Sequence, residues 1–351
     1  MRNLFLIHTA FQKFVAERLI ASDPDFSQAE NILLLEMDPA SAEIVTPELW
    51  ASVMPLEPLG YSVLGKERHA AAERNMARIL DLMPPGETVR ILISDIAWPM
   101  NNRVFFDRRL RRRVEFNFII DGIGSYNGAR FTPKLFLRNL GKFGLGLLGR
   151  AVRYTPYVGQ VMGEEHPRVK RVYGFASEHL SSPPEKRTEI RYQPTALQEV
   201  SERTCLFLDQ PYGETLSPEQ WKAIQEQTRS FLLSLGCQTY YYKRHRLSTA
   251  EDEAFYAQAG FQVVDSKRCV EELFHELGAS IVVSYNSSAL FNIKIFYGSE
   301  TRCISYCSDT LARLTMADAA GIARIKTLFR TVGVDLVEGP LGIQDRALIP
   351  Y

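Results

Sequence analysis

The chain has 351 residues, with 41 Lys or Arg against 41 Asp or Glu, 46% apolar and 23% charged residues. These are the proportions of a soluble globular protein with room for two domains of ordinary size. The zero net charge and the lack of any nucleic-acid fold motif argue against a nucleic-acid binder. The balance is local, however. Between Arg103 and Arg153 there are twelve Lys or Arg against Asp107, Glu115 and Asp121, an excess of nine positive charges that implies an anionic partner. The five cysteines have no CxxC spacing and no two histidines have ligand spacing, so reduced thiols in a cytoplasmic protein and no metal site are expected.

Leu4 to Ile7 reads as a buried strand, too short for a signal peptide core, and His8-Thr9-Ala10 as a turn. Phe11 to Ala21 is an amphipathic helix. A second strand follows at Asn31 to Glu36, a long helix at Lys66 to Met83 ending before Pro84-Pro85-Gly86, and a third strand at Val89 to Ile93. Phe116 to Ile120 is a fourth strand and Val169 to Phe175 a fifth. Strands and helices alternating at this spacing predict a doubly wound α/β domain over residues 1–195.

Residues 131–162 form a basic amphipathic insertion, with Phe131, Leu135, Phe136, Leu140 and Phe143 among Lys134, Arg138, Lys142, Arg150 and Arg153, broken by Gly141, Gly144, Gly146 and Gly149. It suits an anionic membrane face or an anionic lipid-linked acceptor; a core-facing helix pair with a solvated basic side is the open alternative.

The polar, proline-containing stretch 176–203 reads as a linker. A second α/β series then fills 196–351: strand Thr204 to Leu208, helix 217–235, strand Gln238 to Tyr242, helix 249–259, strand Phe261 to Val264, helix 268–278, strand 280–284, helix 288–297 and strand Arg302 to Ser305. The last residues are allowed to cross back to the first domain. Two successive α/β domains predict a ligand cleft at the carboxyl ends of the strands.

Chemistry concentrates where strands end. Asp121, after Phe118-Ile119-Ile120 and before Gly122, suits a general base, or an Asx-turn. Asp209 ends the first strand of the second series in Asp209-Gln210-Pro211-Tyr212, equally readable as a proline turn. His245 lies among Lys243, Arg244 and Arg246, a setting that makes sense around a phosphate, or else as a solvated basic loop. Ser284-Tyr285-Asn286-Ser287-Ser288 joins a buried strand to a helix, so that Ser287 or Ser288 falls at an N-cap, a ready phosphate site or an ordinary cap. His8 and His275 read as structural.

These stretches resemble bacterial sialyltransferases of the lipooligosaccharide and capsular polysialyltransferase type, glycosyltransferase families 52 and 38. The likeness is carried by Ile120-Asp121-Gly122 for an acidic-acidic-Gly motif, Lys243-Arg244-His245-Arg246 for Lys-x-His-Pro, and Ser284 to Ser288 for Ser-Ser, in that order. Thr9-x-x-Gln12-x-x-Val15-Ala16-Glu17-Arg18 resembles the opening of the lipooligosaccharide enzymes. Ile120 replaces the first acid and Arg246 the proline. In some members the base follows the first strand of the second domain, which keeps Asp209 open beside Asp121.

The resemblance implies an α/β, GT-B-like fold, two Rossmann-like domains facing each other across a deep cleft. It implies inverting transfer of a sialic acid from a CMP donor to a hydroxyl of lipooligosaccharide or capsule, by a cytoplasmic enzyme that touches the inner membrane peripherally and needs no metal or cofactor. Asp121 or Asp209 would be the base and His245 the acid. Lys243, His245, Ser284, Asn286, Ser287, Ser288, Gln210 and Pro211 would bind the nucleotide. Gly122, Arg138 and Lys142 would lie on the acceptor side. Pseudaminic, legionaminic or Kdo-type donors, a catalytically idle nucleotide- or glycan-binding protein, an anion-binding membrane scaffold and a homodimer stay open as alternatives.

Overall fold

The computed structural model describes residues 1–36, 46–59, 63–194, 203–245, 247–264, 267–315 and 319–339. The chain divides into two compact units, Met1–Tyr192 with Lys267–Cys269, and Gln193–Ser266 with Val270–Tyr351.

The first unit holds seven strands: β1 (Arg2–Ile7), β2 (Glu30–Leu35), β3 (Ser52–Pro55), β4 (Val89–Ile93), β5 (Val114–Ile119), β6 (Val169–Gly174) and β7 (Arg187–Glu189). They form one parallel sheet in the order β3-β2-β1-β4-β5-β6-β7. Leu4, Phe5, Leu6 and Ile7 are all 0% exposed, as expected of a central strand covered on both faces. The order runs outward from β1 in one direction, then jumps back past it to β4. Between β1 and β4 the connections therefore depart to opposite faces, opening a crevice at the carboxyl ends of the strands.

The second unit repeats the plan with β8 (Thr204–Leu208), β9 (Thr239–Lys243), β10 (Gln262–Val263), β11 (Ile281–Ser284), β12 (Arg302–Tyr306) and β13 (Asp335–Val337). Its parallel order is β10-β9-β8-β11-β12-β13, with the corresponding crevice between β8 and β11. Helix Pro218–Ser234 starts with a full capping box between Ser217 and Gln220, and Ala250–Gln258 with one between Thr249 and Asp252.

Three of the four edge strands carry no clear sequence signal; the fourth, β10, falls within the expected strand Phe261 to Val264. β3 and β7 lie at the two rims of the first sheet and β13 at a rim of the second. Edge strands are short and half-solvated, so Ser52–Pro55 and Arg187–Glu189 lack the apolar run that marks β1. The stretch read as linker thus contains a strand. Helices Ser308–Leu314 and Ala319–Val332 also extend the second series beyond the last element expected. The end of the chain expected to cross back, residues 340–351, lies outside the described residues, as does Arg246.

The expected glycine-broken stretch is instead one helix, Pro133–Leu147, running through Gly141, Gly144 and Gly146. Thr132 caps it by accepting the Leu135 N–H at 3.2 Å, with Pro133 in the first turn. Gly146 is a point of close approach between the helix and its own unit. A Cβ there would lie 3.0 Å from Arg153 Cα and 3.1 Å from the Val152 carbonyl oxygen. The glycine serves close packing, not a break.

Candidate functional site

In the first unit four strand ends converge on one buried polar cluster. His8 follows β1, Glu36 follows β2, Ser94 and Asp95 follow β4, and Asp121 stands two residues beyond β5. His8, which the sequence reads as structural, is 3% exposed; its Nε2 is 2.8 Å from Asn101 Oδ1 and its Nδ1 is 3.1 Å from the Glu36 carboxylate. Glu36 also accepts the Leu59 N–H (2.8 Å) and the Trp98 indole N–H (3.2 Å). Burial by itself would lower the pKa of His8. The charge of Glu36, with hydrogen bonds to Glu36 and Asn101 and the charge of Asp95, outweighs it and raises the pKa.

Gln12 links this pair to Asp121. Its Oε1 accepts the His8 backbone N–H at 2.8 Å, and its Nε2 donates to Ser94 Oγ at 3.0 Å and to Asp121 Oδ1 at 2.9 Å. Ser94 Oγ in turn donates to Asp95 Oδ2 at 2.8 Å. The other Asp95 oxygen accepts the N–H groups of Ala97 and Trp98 at 2.7 and 2.6 Å, fixing the start of helix Pro99–Phe105.

Asp121 is the partly exposed member, with its N–H on Ser125 Oγ at 3.1 Å and Gly122 beside it at φ +63°. Glycine takes that left-handed conformation without strain. Burial of the carboxyl group, and next the charge of Asp95, push its pKa up to about 6, against the Gln12 hydrogen bond and His8. Such a carboxylate is mostly ionised at neutral pH yet holds a proton far better than an ordinary aspartate, which suits general base work.

In the second unit Asp209 follows β8 and is 2% exposed. Its Oδ2 accepts Tyr242 Oη at 2.8 Å and Ser248 Oγ at 2.6 Å. Burial raises its pKa to about 6, against the donors Ser248, Tyr242 and the Gln210 N–H. Ser248 Oγ accepts the His245 N–H at 3.2 Å, and the Leu247 N–H points at His245 Nδ1 at 3.3 Å. With Nδ1 an acceptor, the neutral imidazole carries its proton on Nε2. Asp209 therefore anchors the His245 loop through Ser248. Arg244, counted with the cations around His245, turns to Glu253 at 3.5 Å.

The stretch after β11 divides. Ser284 is 0% exposed and donates to the Leu208 carbonyl at 2.7 Å, tying β11 to β8. Asn286 is pinned, accepting from Ser308 Oγ at 2.6 Å and donating to Tyr212 Oη at 3.3 Å. Ser287 is the N-cap of helix Ser288–Tyr297, its Oγ accepting the Ala289 N–H at 3.3 Å. The first backbone N–H groups of a helix have no partner within it, so Ser287 and Ser288 stand where an anion is favoured. Lys243 ends β9 and its carbonyl accepts the Asp209 N–H at 3.0 Å; Gln210, just before Pro211, donates from Nε2 to the Asp209 carbonyl at 2.9 Å.

Arg138 and Lys142 lie on helix Pro133–Leu147. Arg138 is exposed; Lys142 is half-buried, with its Nζ 5.0 Å from the centre of the Tyr154 ring. Burial, and then the charge of Arg138, lower the pKa of Lys142. Among the described residues no group of three or more His, Cys, Asp or Glu could hold a metal ion, and no helix is long and apolar enough to cross a membrane.

The sequence reading overlooked Glu36 and Asp95 and used Gln12 only as part of a motif. One signal could have found the two acids: each follows a buried apolar run, Ile32 to Leu35 and Ile91 to Ile93, as Asp121 follows Phe118 to Ile120.

No protein-family model matches this sequence, and no curated protein does. Solved structures do. An alpha/beta-galactoside alpha-2,3-sialyltransferase from Photobacterium phosphoreum aligns over 95% of this chain and 98% of its own, at 11% identity and a TM-score of 0.56. The GT-B domain of a sialyltransferase from Photobacterium damselae aligns over 96% and 100%, at 12% identity and a TM-score of 0.54.

The chain has the GT-B fold. A UDP-GlcNAc 2-epimerase from Neisseria meningitidis, solved with UDP-GlcNAc, shares the fold at 8% identity and a TM-score of 0.52, over 95% of each chain. GT-B proteins therefore differ in chemistry on one scaffold, and the reaction has to be argued from the residues at the strand ends.

Proposed function

We propose that this GT-B protein is an inverting glycosyltransferase that moves a sialic acid, or a related nonulosonic acid, from its CMP donor to a sugar hydroxyl of an anionic bacterial glycan such as lipooligosaccharide or capsule. The observation that carries the reading is Asp121: a partly exposed carboxylate with a pKa of about 6, beside a left-handed glycine, at the carboxyl edge of the first sheet.

In this reading Asp121 takes the proton of the acceptor hydroxyl as its oxygen bonds to the anomeric carbon. The bond from that carbon to the phosphate oxygen breaks, and CMP leaves with the electron pair. His245 donates from Nε2 to the departing phosphate, and the helix start at Ser287 and Ser288 stabilises its charge. Asp209 is better suited to hold the His245 loop than to act as base, because its carboxylate is buried and already accepts from Tyr242 and Ser248. Ser284 and Asn286 support the site from behind, since their side chains are engaged within the unit. Lys243, Gln210 and Pro211 would border the nucleotide, and Gly122, Arg138 and Lys142 the acceptor. A single phosphate would be neutralised by these donors without a metal. A cytoplasmic location would give access to a CMP-activated donor.

Incubation with CMP-sialic acid and a lipooligosaccharide acceptor tests the reading. It predicts CMP release that rises with acceptor and falls roughly a hundredfold in Asp121→Asn. CMP binding without turnover on any of CMP-sialic, CMP-pseudaminic, CMP-legionaminic or CMP-Kdo donors would instead support an idle nucleotide-binding protein.

A further inference from the structure

One face of helix Pro133–Leu147 is left to solvent. Leu137, Leu140 and Leu147 are 65%, 46% and 64% exposed, and Leu148, just past the helix, is 69% exposed. Their spacing puts them on one side, with Gly141 and Gly144 between them, while Asn139 and Gly146 on the other side are buried. Ten large hydrophobic residues are exposed among the described ones, and four of them lie on this one stripe. Leu64, 55% exposed, is bridged to Ala151, three residues past Leu148. Gathered leucines, unlike scattered ones, mark an interaction face.

Charge indicates what the face meets. Lys134 and Arg138, four residues apart and both exposed, form a basic border to the leucine stripe; Lys142, next along the helix, is half-buried over Tyr154, and Arg150 follows just beyond. No Asp or Glu occurs between Asp121 and Glu164. An apolar stripe bordered by unopposed cations matches a layer whose surface is anionic and whose interior is apolar. It complements itself poorly: a second copy on this face would bring a second set of cations and no acid from residues 122–163 to the same interface.

We propose that this face docks on the surface of an anionic phospholipid bilayer, the leucines entering the acyl boundary and the basic border reaching the lipid phosphates. The helix lies on the bilayer and does not cross it. Its 15 residues span about 22 Å, short of the roughly 30 Å hydrocarbon core.

Flotation of the full chain with vesicles tests this. One set is phosphatidylcholine alone and the other contains about a quarter phosphatidylglycerol. Wild type should partition at least tenfold better into the anionic set, and less so in high salt. The double change Leu147→Glu and Leu148→Glu should abolish flotation, as should Lys134→Glu with Arg138→Glu. The altered leucines are exposed, so the first variant should keep the wild-type melting temperature and CMP affinity, which separates this test from that of the transferase reading. Equal partition into both sets, unchanged flotation of both variants, or no flotation of wild type would overturn the proposal. So would a concentration-dependent dimer that Leu147→Glu dissolves, which would give the face to a second copy.

Discussion

Gln12 Nε2 lies 2.9 Å from Asp121 Oδ1, although 109 residues separate them, and the same side chain accepts the His8 backbone N–H. One amide thus fixes the direction of the proposed base and ties it to a buried imidazole–carboxylate pair. Replacing Gln12 by Leu removes a hydrogen bond that favours the ionised carboxylate, so the pKa of Asp121 should rise. The expected result is an acid limb of kcat/KM displaced to higher pH, with KM for the CMP donor nearly unchanged. A pH profile that keeps its position would show that Gln12 only fills space.

Asp95 acts in the opposite sense. Its charge raises the pKa of Asp121, so Asp95→Asn should move the acid limb to lower pH, below about 6. The asparagine oxygen can still accept the Ala97 and Trp98 N–H groups, so folding should be preserved. The two variants shifting the profile the same way would contradict the assignment of Asp121 as base.

Asp121 also sets a pH dependence of stability. Its folded pKa, about 6, lies above the ordinary carboxylate value of 3.8. The folded state therefore holds the proton more tightly than the unfolded chain does. The associated stability is present below about pH 4 and is lost as pH rises through about 6. Asp121→Asn cannot lose it and should gain roughly 1–3 kcal/mol over wild type above pH 6, measured by urea unfolding across pH 4 to 8. A gain confined to acid pH would mean that the carboxylate is stabilised, not strained, in the fold.

The His245 loop separates anchoring from chemistry. Asp209→Ala frees Ser248 and Tyr242 and should cost about 1–3 kcal/mol of stability as well as turnover. His245→Ala and the double change Ser287→Ala with Ser288→Ala should each cost roughly a hundredfold in turnover with little change in melting temperature. Full activity in both of the latter would remove the phosphate site from this part of the chain.

Gly146 tests how helix Pro133–Leu147 is seated. A methyl group there meets the backbone of residues 152 and 153 at 3.0 to 3.1 Å, and backbone cannot swing aside as a side chain can. Gly146→Ala should lower stability by about 1–3 kcal/mol despite alanine's better helix propensity. Gly144→Ala, with nothing within 4 Å of the added carbon, should be neutral or stabilising by thermal unfolding.

The α/β class was legible in the sequence because strands covered on both faces must be continuously apolar. Leu4 to Ile7, Val89 to Ile93, Thr204 to Leu208 and Ile281 to Ser284 announce themselves for that reason. The positions where such runs stop were equally legible, and with them Asp121, Asp209 and Ser287. Short edge strands such as Arg187–Glu189 carry no comparable signal, since half their surface answers to water. The seating of Gly146 was hidden too: it depends on a backbone approach that no local pattern encodes. Most of all, the sequence could not say which strand-end groups face one another. Only the jump of the chain from β3 across β1 to β4 brings Ser94 and Asp121 within hydrogen-bond reach of Gln12. Only the side-by-side packing of β8 and β9 turns Asp209 onto Tyr242 and Ser248. Residue type and strand ends are local properties; hydrogen-bond partnership between ends depends on strand order, which the tertiary fold alone decided.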